Sequence, residues 1–261
     1  MDLALKGKRA IVCGSTRGIG KAIAIELALL GAEITLIARN EERLRSTLAE
    51  LPSDHGQRHE YLTIDFNDPE KLRSVIRSYA EKNITHILVN NTGGPSAGQA
   101  IDAAPEGFME AFSAHLICNQ ILVQAVVPGM KKEGYGRVIN IISTSVKIPI
   151  RGLGISNTIR GAVANWAKTL SVELAPFGIT VNNVLPGATM TDRLEEVLRD
   201  KAAKTGKSFD EVREQMIREI PAGRISDPHE VAAAAAFLAS PAAGYINGIN
   251  IPVDGGRTGS L

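Results

Sequence analysis

The chain has only two cysteines, one tryptophan and four tyrosines in 261 residues, and its charges all but cancel. Cys13 lies in an apolar, strand-like run and Cys118 in a helical one, neither in a C-x-x-C pair nor beside a ligand cluster. A disulfide framework or structural zinc is therefore not implied, and no metal is expected. With 29 basic and 28 acidic side chains, the electrostatic footprint that draws proteins onto phosphate backbones or anionic lipid is missing. So few Trp and Tyr also leave little surface on which bases could stack. The longest unbroken apolar run, 231–239, is too short to cross a bilayer. These absences lead to the expectation of a cytoplasmic protein in a reducing compartment, with neither nucleic acid nor membrane as partner. Internal repeats, low-complexity tracts and Pro/Gly/Ser linkers are lacking too, and one domain spanning 1–261 is expected.

What is present is an alternation. Short β-branched runs at 9–13, 34–38, 61–64, 84–90, 137–142, 179–184 and 249–253 are separated by helix-length amphipathic segments. That pattern predicts βαβ units and a seven-stranded parallel sheet in a doubly wound α/β domain of the Rossmann type. A helix over 21–30 ends at Gly31, and another follows Pro69 with Leu72, Val75, Ile76 and Tyr79 on one face. The charge-rich stretch 193–218, within 190–220, sits where a short crossover would suffice and reads as a lid.

Directly after the first strand comes Gly14-Ser15-Thr16-Arg17-Gly18-Ile19-Gly20, and a helix follows at once. A glycine turn there lets backbone N–H groups and the positive helix end meet a pyrophosphate. Three glycines alone would mark only a turn; their place at the first strand-to-helix junction is what points to a dinucleotide. At the end of the second strand, Ala38-Arg39-Asn40 offers no carboxylate to a ribose hydroxyl. Arg39 and Arg17 together would favour a 2′-phosphate, so NADP(H) is expected in preference to NAD(H), unless both arginines are merely solvated.

The G-x-x-x-G-x-G spacing resembles the short-chain dehydrogenase/reductase family, and the resemblance runs nearly the length of the chain. Asn90-Asn91-Thr92-Gly93 resembles that family's N-N-A-G, Pro186-Gly187 with Thr191 its P-G-x-x-x-T, and Asp254-Gly255-Gly256 its D-G-G. The resemblance implies cofactor contacts at Asn91, Gly93, Pro186, Gly187 and Thr191, with Asn90 supporting the adenosine side or the central sheet. Asp65-Phe66 falls where the family contacts adenine, although an aspartate capping the next helix accounts for it equally well. Outside the site the chain resembles a divergent branch of the 3-oxoacyl carrier-protein reductases, which implies a homotetramer; the two-sided helix after Ser156 by itself argues only against a monomer.

The family's Y-x-x-x-K is absent: Tyr61, Tyr79, Tyr135 and Tyr245 are followed four residues on by Asp65, Asn83, Ile139 and Ile249. The best register makes the motif S-x-x-x-R, with Ser156 and Arg160 in the two places, and the family spacing of thirteen leads back to Ser143. His115 aligns with the family's helix asparagine. Arg160 keeps the ability to bind ribose hydroxyls, but neither serine nor arginine replaces a phenolic acid. His115 is the candidate proton donor, directly or through water, or else a histidine satisfied by packing. Lys147 is a second candidate, or a solvated loop lysine. Ser143 polarises a carbonyl or caps the next turn. Two functions stay open: an NADP(H)-dependent oxidoreductase acting on a small carbonyl or hydroxyl substrate, and a non-catalytic NADP(H)-binding sensor or scaffold.

Overall fold

The computed structural model describes residues 1–260. Its strands are β1 (Arg9–Cys13), β2 (Glu33–Ala38), β3 (Glu60–Thr63), β4 (Ile87–Asn90), β5 (Gly136–Ile141), β6 (Ile179–Pro186) and β7 (Asn250–Val253). They form one sheet in the order β3-β2-β1-β4-β5-β6-β7, and every pairing is parallel. Strand order reverses between β1 and β4, which opens a crevice beyond their carboxyl ends where such sheets bind ligands.

Helices cover both faces: α1 (Gly18–Leu29), α2 (Glu41–Ala49), α3 (Pro69–Ala80), α4 (Pro105–Phe112), α5 (Cys118–Glu133), α6 (Gly154–Leu174), α7 (Asp192–Thr205), α8 (Phe209–Arg218) and α9 (Pro228–Ala239). On one face Ile23 and Leu27 of α1 join Leu44 of α2 and Val231 and Ala235 of α9 over Ile34, Leu36 and Val89. On the other, Leu72 and Ile76 of α3, Leu122 and Val126 of α5 and Ala167 of α6 pack over Ile11, Leu88 and Val138. Burial on both sides is why the central strands read as continuous apolar runs.

Some boundaries move from the sequence reading. Helix α1 starts at Gly18, so the last two glycines of the turn belong to its first residues. Strand β4 starts at Ile87; just before it, His86 donates its backbone N–H to Arg9 O (2.8 Å) and accepts the Arg9 N–H at its Nδ1 (3.0 Å). Pro105–Glu133 is a nearly continuous helical run of 29 residues, long and apolar enough to cross a membrane by length and composition. A single π-helical turn, Ser113–Ile117, joins its two halves, and Ile121, Leu122, Val126 and Met130 are buried in the sheet core. Periodic polar residues keep that run out of a search for unbroken apolar stretches.

The stretch expected to be a lid forms α7 and α8. Thr191 caps the first by accepting from Leu194 N–H (3.3 Å), and Ser208 with Glu211 forms a reciprocal capping box on the second. Leu198, Ala202 and Val212 make a small core of their own, separate from the two layers beside the sheet. An ion pair from Arg257 to Glu219 ties the end of the chain to the base of α8.

Candidate functional site

The glycine turn after β1 is shaped by close backbone contacts. A Cβ on Gly14 would meet the Asn91 carbonyl at 2.5 Å, and one on Gly20 would meet the Gly14 carbonyl at 2.2 Å. Gly14 also has φ +58°, a conformation that side chains disfavour. Asn91 fastens the turn from beneath, its Nδ2 donating to the carbonyls of Cys13 (3.2 Å) and Gly14 (3.3 Å). Buried Ser15 ties it to β2 through Ile37 O (3.4 Å), and Ile19 packs into the core. Arg17 stands at the N-cap of α1 with an extended backbone and supplies no side-chain cap. The first-turn N–H groups of α1, next to Thr16, are thus left for an anion at the positive helix end.

These contacts make Gly20→Ala informative. Its new methyl would have to displace backbone rather than a flexible side chain, so the variant is expected to lose dinucleotide binding in calorimetry. Its Tm should fall by about 5 °C or more in a thermal scan.

The adenosine end lies beyond β2 and β3. Arg39 is exposed there, while Asn40 is occupied capping α2 (Oδ1 to Arg43 N–H, 2.8 Å). Asp65 does not cap the following helix; it accepts from Asn67 N–H (3.0 Å) in a local turn, and the cap on α3 is Asp68 (3.0 Å to Lys71 N–H). Phe66 packs at the margin of the core and its carbonyl accepts from the Cys118 thiol (3.3 Å). Gly93 is exposed, with open space where a Cβ would stand.

Asn90 belongs to a feature invisible in any motif. It donates to Asn140 Oδ1 (2.8 Å), Asn140 donates to Asn183 (2.9 Å), and Asn183 donates to Asn250 (2.8 Å), one asparagine from each of β4, β5, β6 and β7 in register. Each amide satisfies the next, so the four polar side chains stay inside the sheet at little desolvation cost, with only Asn90 Oδ1 left unpaired at the end. The signal in the sequence was four asparagines in strands, but pairing needs the register.

On the other side of the crevice Ser143 follows β5. Its Oγ accepts from Ser145 N–H (3.0 Å), so it does cap the next turn, and its own hydrogen stays free to donate. Arg160, one turn along α6 from partly buried Ser156, is 8% exposed and donates to Ile141 O (3.4 Å), two residues before Ser143. Desolvation lowers its pKa to about 10, which leaves it charged at neutral pH. The start of α6 is held firmly: Asn157 bonds Ile150 at both its N–H and C=O (3.3 and 2.9 Å), and a Cβ on Gly154 would strike Ala100 backbone at 2.4 Å. Lys147 is half-buried in the loop between Ser143 and α6.

His115, 3% exposed, sits in the π-turn and shares a 2.5 Å hydrogen bond between its Nδ1 and Thr92 Oγ1. Burial first, and then the nearby Arg160 charge, push its pKa down to about 3. At neutral pH the ring is the neutral imidazole, a feeble acid, and this corrects the expectation that His115 brings a ready proton. Thr92 was a missed partner, because its contact spans 23 residues.

Pro186 ends β6, and Gly187 lies against Asp254, whose Cα a Cβ would approach to 2.7 Å. Thr191 packs on Gly18, its Cγ2 at 3.1 Å from where a Cβ would be, so the base of α7 rests on the glycine turn. From α7, Asp192 faces Arg17 at 3.5 Å and Arg193 reaches Pro95 O (3.4 Å). A cavity of about 520 Å³ opens at the start of α6, lined by Gly98, Asp102, Gly152, Ile155 and Lys204 among others. Among the described residues no cluster of three or more His, Cys, Asp or Glu is placed to hold a metal.

A glycine cradle, a bare helix N-terminus and a buried arginine thus line one crevice, and they fit a dinucleotide. The model of the family described as enoyl-(acyl carrier protein) reductase matches residues 14–258. The chain is a member of the short-chain dehydrogenase/reductase family. It is 33% identical over 254 residues to the 3-oxoacyl-(acyl-carrier-protein) reductase FabG of Vibrio cholerae, covering 97% of this chain and 98% of that one. The L-sorbose reductase of Gluconobacter frateurii, solved with NADPH and L-sorbose, superposes with a TM-score of 0.93 at 31% identity over the full length of both. An actinorhodin polyketide ketoreductase solved with NADPH gives 0.90 at 30% identity, covering 97% of this chain and 98% of that one. In this short-chain dehydrogenase/reductase, Ser156 and Arg160 lie one turn apart on α6.

Proposed function

We propose that this protein is an NADP(H)-dependent oxidoreductase that reduces a small carbonyl compound, of the 3-oxoacyl type or another small ketone. The observation that carries the reading is the backbone cradle at Gly14, Gly18 and Gly20 beneath the uncapped start of α1. The NADPH complexes of the sorbose reductase and the ketoreductase support the choice of coenzyme. Bound there, NADPH supplies a hydride. Gly14 to Gly20 take the pyrophosphate, Arg17 and Arg39 the 2′-phosphate, and Asp65 and Phe66 the adenine. Asn91, Gly93, Arg160, Pro186, Gly187 and Thr191 take the nicotinamide half. Ser143 donates to the substrate oxygen and Ser156 completes the polar wall. Helices α7 and α8 act as the lid over this crevice, with Asp192 at the base of α7 turned toward Arg17. The surroundings are cytoplasmic and reducing, and the chain works as a dimer or tetramer.

A second reading, an NADP(H)-binding sensor without chemistry, is favoured by the neutral state of His115. Calorimetry with NADPH and NADH, followed by absorbance assays on a panel of ketones including 3-oxoacyl thioesters, separates the two. Turnover that disappears in Ser143→Ala supports the enzyme; tight NADPH binding with no turnover supports the sensor. Arg17→Ala and Arg39→Ala should each weaken NADPH about tenfold and leave NADH nearly unchanged, because only the phosphorylated ribose gains a charge-assisted pair. Equal losses for both coenzymes would remove the arginines from this role.

A further inference from the structure

Among the described residues two arginines are buried, and they are satisfied very differently. Arg137, 4% exposed, donates to the carbonyls of Gly136 (2.8 Å), Gly178 (3.3 Å) and Ser240 (3.4 Å) and lies over the Tyr135 ring at 4.1 Å. Arg160 has one long hydrogen bond, to Ile141 O (3.4 Å), out of five N–H donors. Its pKa of about 10 keeps it charged at neutral pH, and no carboxylate pairs with it among the described residues. A guanidinium held out of water without an anion is costly, and a ligand that brings the anion removes that cost.

The coenzyme does not supply it. In the reading above its pyrophosphate goes to the glycine turn and its 2′-phosphate to Arg17 and Arg39, and the ribose beside Arg160 offers only neutral hydroxyls. The anion therefore comes with the substrate. Its place follows from the backbone: Ile141, which holds the guanidinium, and Ser143, whose hydroxyl hydrogen is left for a substrate oxygen, are alternate residues at the carboxyl end of β5. The chain at Ser143 is extended (φ −171°, ψ 152°), so the two groups stand about one strand repeat apart. With a carbonyl oxygen at Ser143, the nearest position for an anion at Arg160 is on the adjoining carbon. The planar fork of N–H donors matches a carboxylate.

We propose that the substrate is a 2-oxo acid, its ketone oxygen on Ser143 and its carboxylate on Arg160. This rests on the reading that NADPH binds here and that a carbonyl group is reduced. Hydride forms the new C–H bond at C2, the π pair moves onto oxygen, and a proton from solvent completes the hydroxyl. The product is a 2-hydroxy acid, and NADPH becomes NADP⁺.

The test compares three molecules that differ in one group: 2-oxo-4-phenylbutanoate, its ethyl ester, and benzylacetone, with methyl in place of the carboxylate. The ester is the more electrophilic ketone, so a preference for the acid reports recognition of charge. With the whole protein and NADPH, kcat/KM for the acid should exceed that for the ester and for benzylacetone by about a hundredfold. Arg160→Gln should bring the acid-to-ester ratio close to one, whatever it does to coenzyme binding. An ester or ketone turned over as well as the acid overturns the proposal and leaves carbonyl reduction standing. Turnover of none of the three, with NADPH binding verified by calorimetry, overturns both, as does failure to bind NADPH.

A second readout needs no turnover. Oxamate, a 2-oxo acid mimic that hydride does not reduce, and ethyl oxamate are each titrated by calorimetry into the NADPH-bound protein. Oxamate should bind at least about tenfold more tightly, and Arg160→Gln should erase the difference. Equal affinities in the native protein overturn the assignment of Arg160.

Discussion

Ser156→Tyr combined with Arg160→Lys should raise the reduction of a saturated ketone by about a hundredfold or more, the usual worth of a positioned general acid. The two positions share one face of α6, a single turn apart, and the start of that helix is braced by the Asn157 bonds to Ile150 and by the Gly154 approach to Ala100. A phenol presented from this frame has a pKa near 10, far below that of an aliphatic hydroxyl, and a neighbouring ammonium lowers it further. Absorbance assays on benzylacetone across pH measure the gain. They should also show an alkaline limb that the native protein lacks, where the new phenol loses its proton. A double variant that binds NADPH but gains no ketone turnover would mean that proton supply does not limit this site.

His115→Asn should flatten the acid side of the stability curve. Burial depresses the folded pKa of His115 to about 3, below its ordinary 6.5. Between those values the unfolded chain holds a proton that the folded chain does not, so stability rises with pH there. The full stability is present above 6.5 and drains away as pH falls toward the folded value. One such group costs about 1.4 kcal/mol per pH unit, hence about 2 kcal/mol on acidifying from neutrality to about pH 5. His86, also depressed by burial, and the carboxylates titrate in both proteins and cancel in the comparison. Denaturant unfolding at several pH values gives the difference. Asparagine can keep a hydrogen bond to Thr92, so parallel curves, rather than a lost contact, would disprove the assignment.

The two predictions draw on information of different range. The tyrosine's absence could be established by testing four positions against one spacing, and the glycine turn by its place after an apolar run, since both are local patterns. His115 was visible as a candidate but not its protonation state, because that depends on burial and on Arg160, 45 residues away in the sequence. Asp65 shows the same limit at short range: two aspartates precede α3, and only the backbone geometry chose Asp68 as its cap.

By itself, the order of residues determined a seven-stranded α/β sheet, a glycine-lined opening to its first helix and the absence of any Tyr-x-x-x-Lys spacing. These follow from side-chain periodicity and from spacing along one helix or turn. Tertiary structure alone decided that Arg160 is buried yet charged, that Thr92 engages a neutral His115, and that four asparagines close a ladder across β4 to β7. Desolvation and hydrogen-bond partnership are properties of what folds around a group, and segments far apart in the chain supply it here.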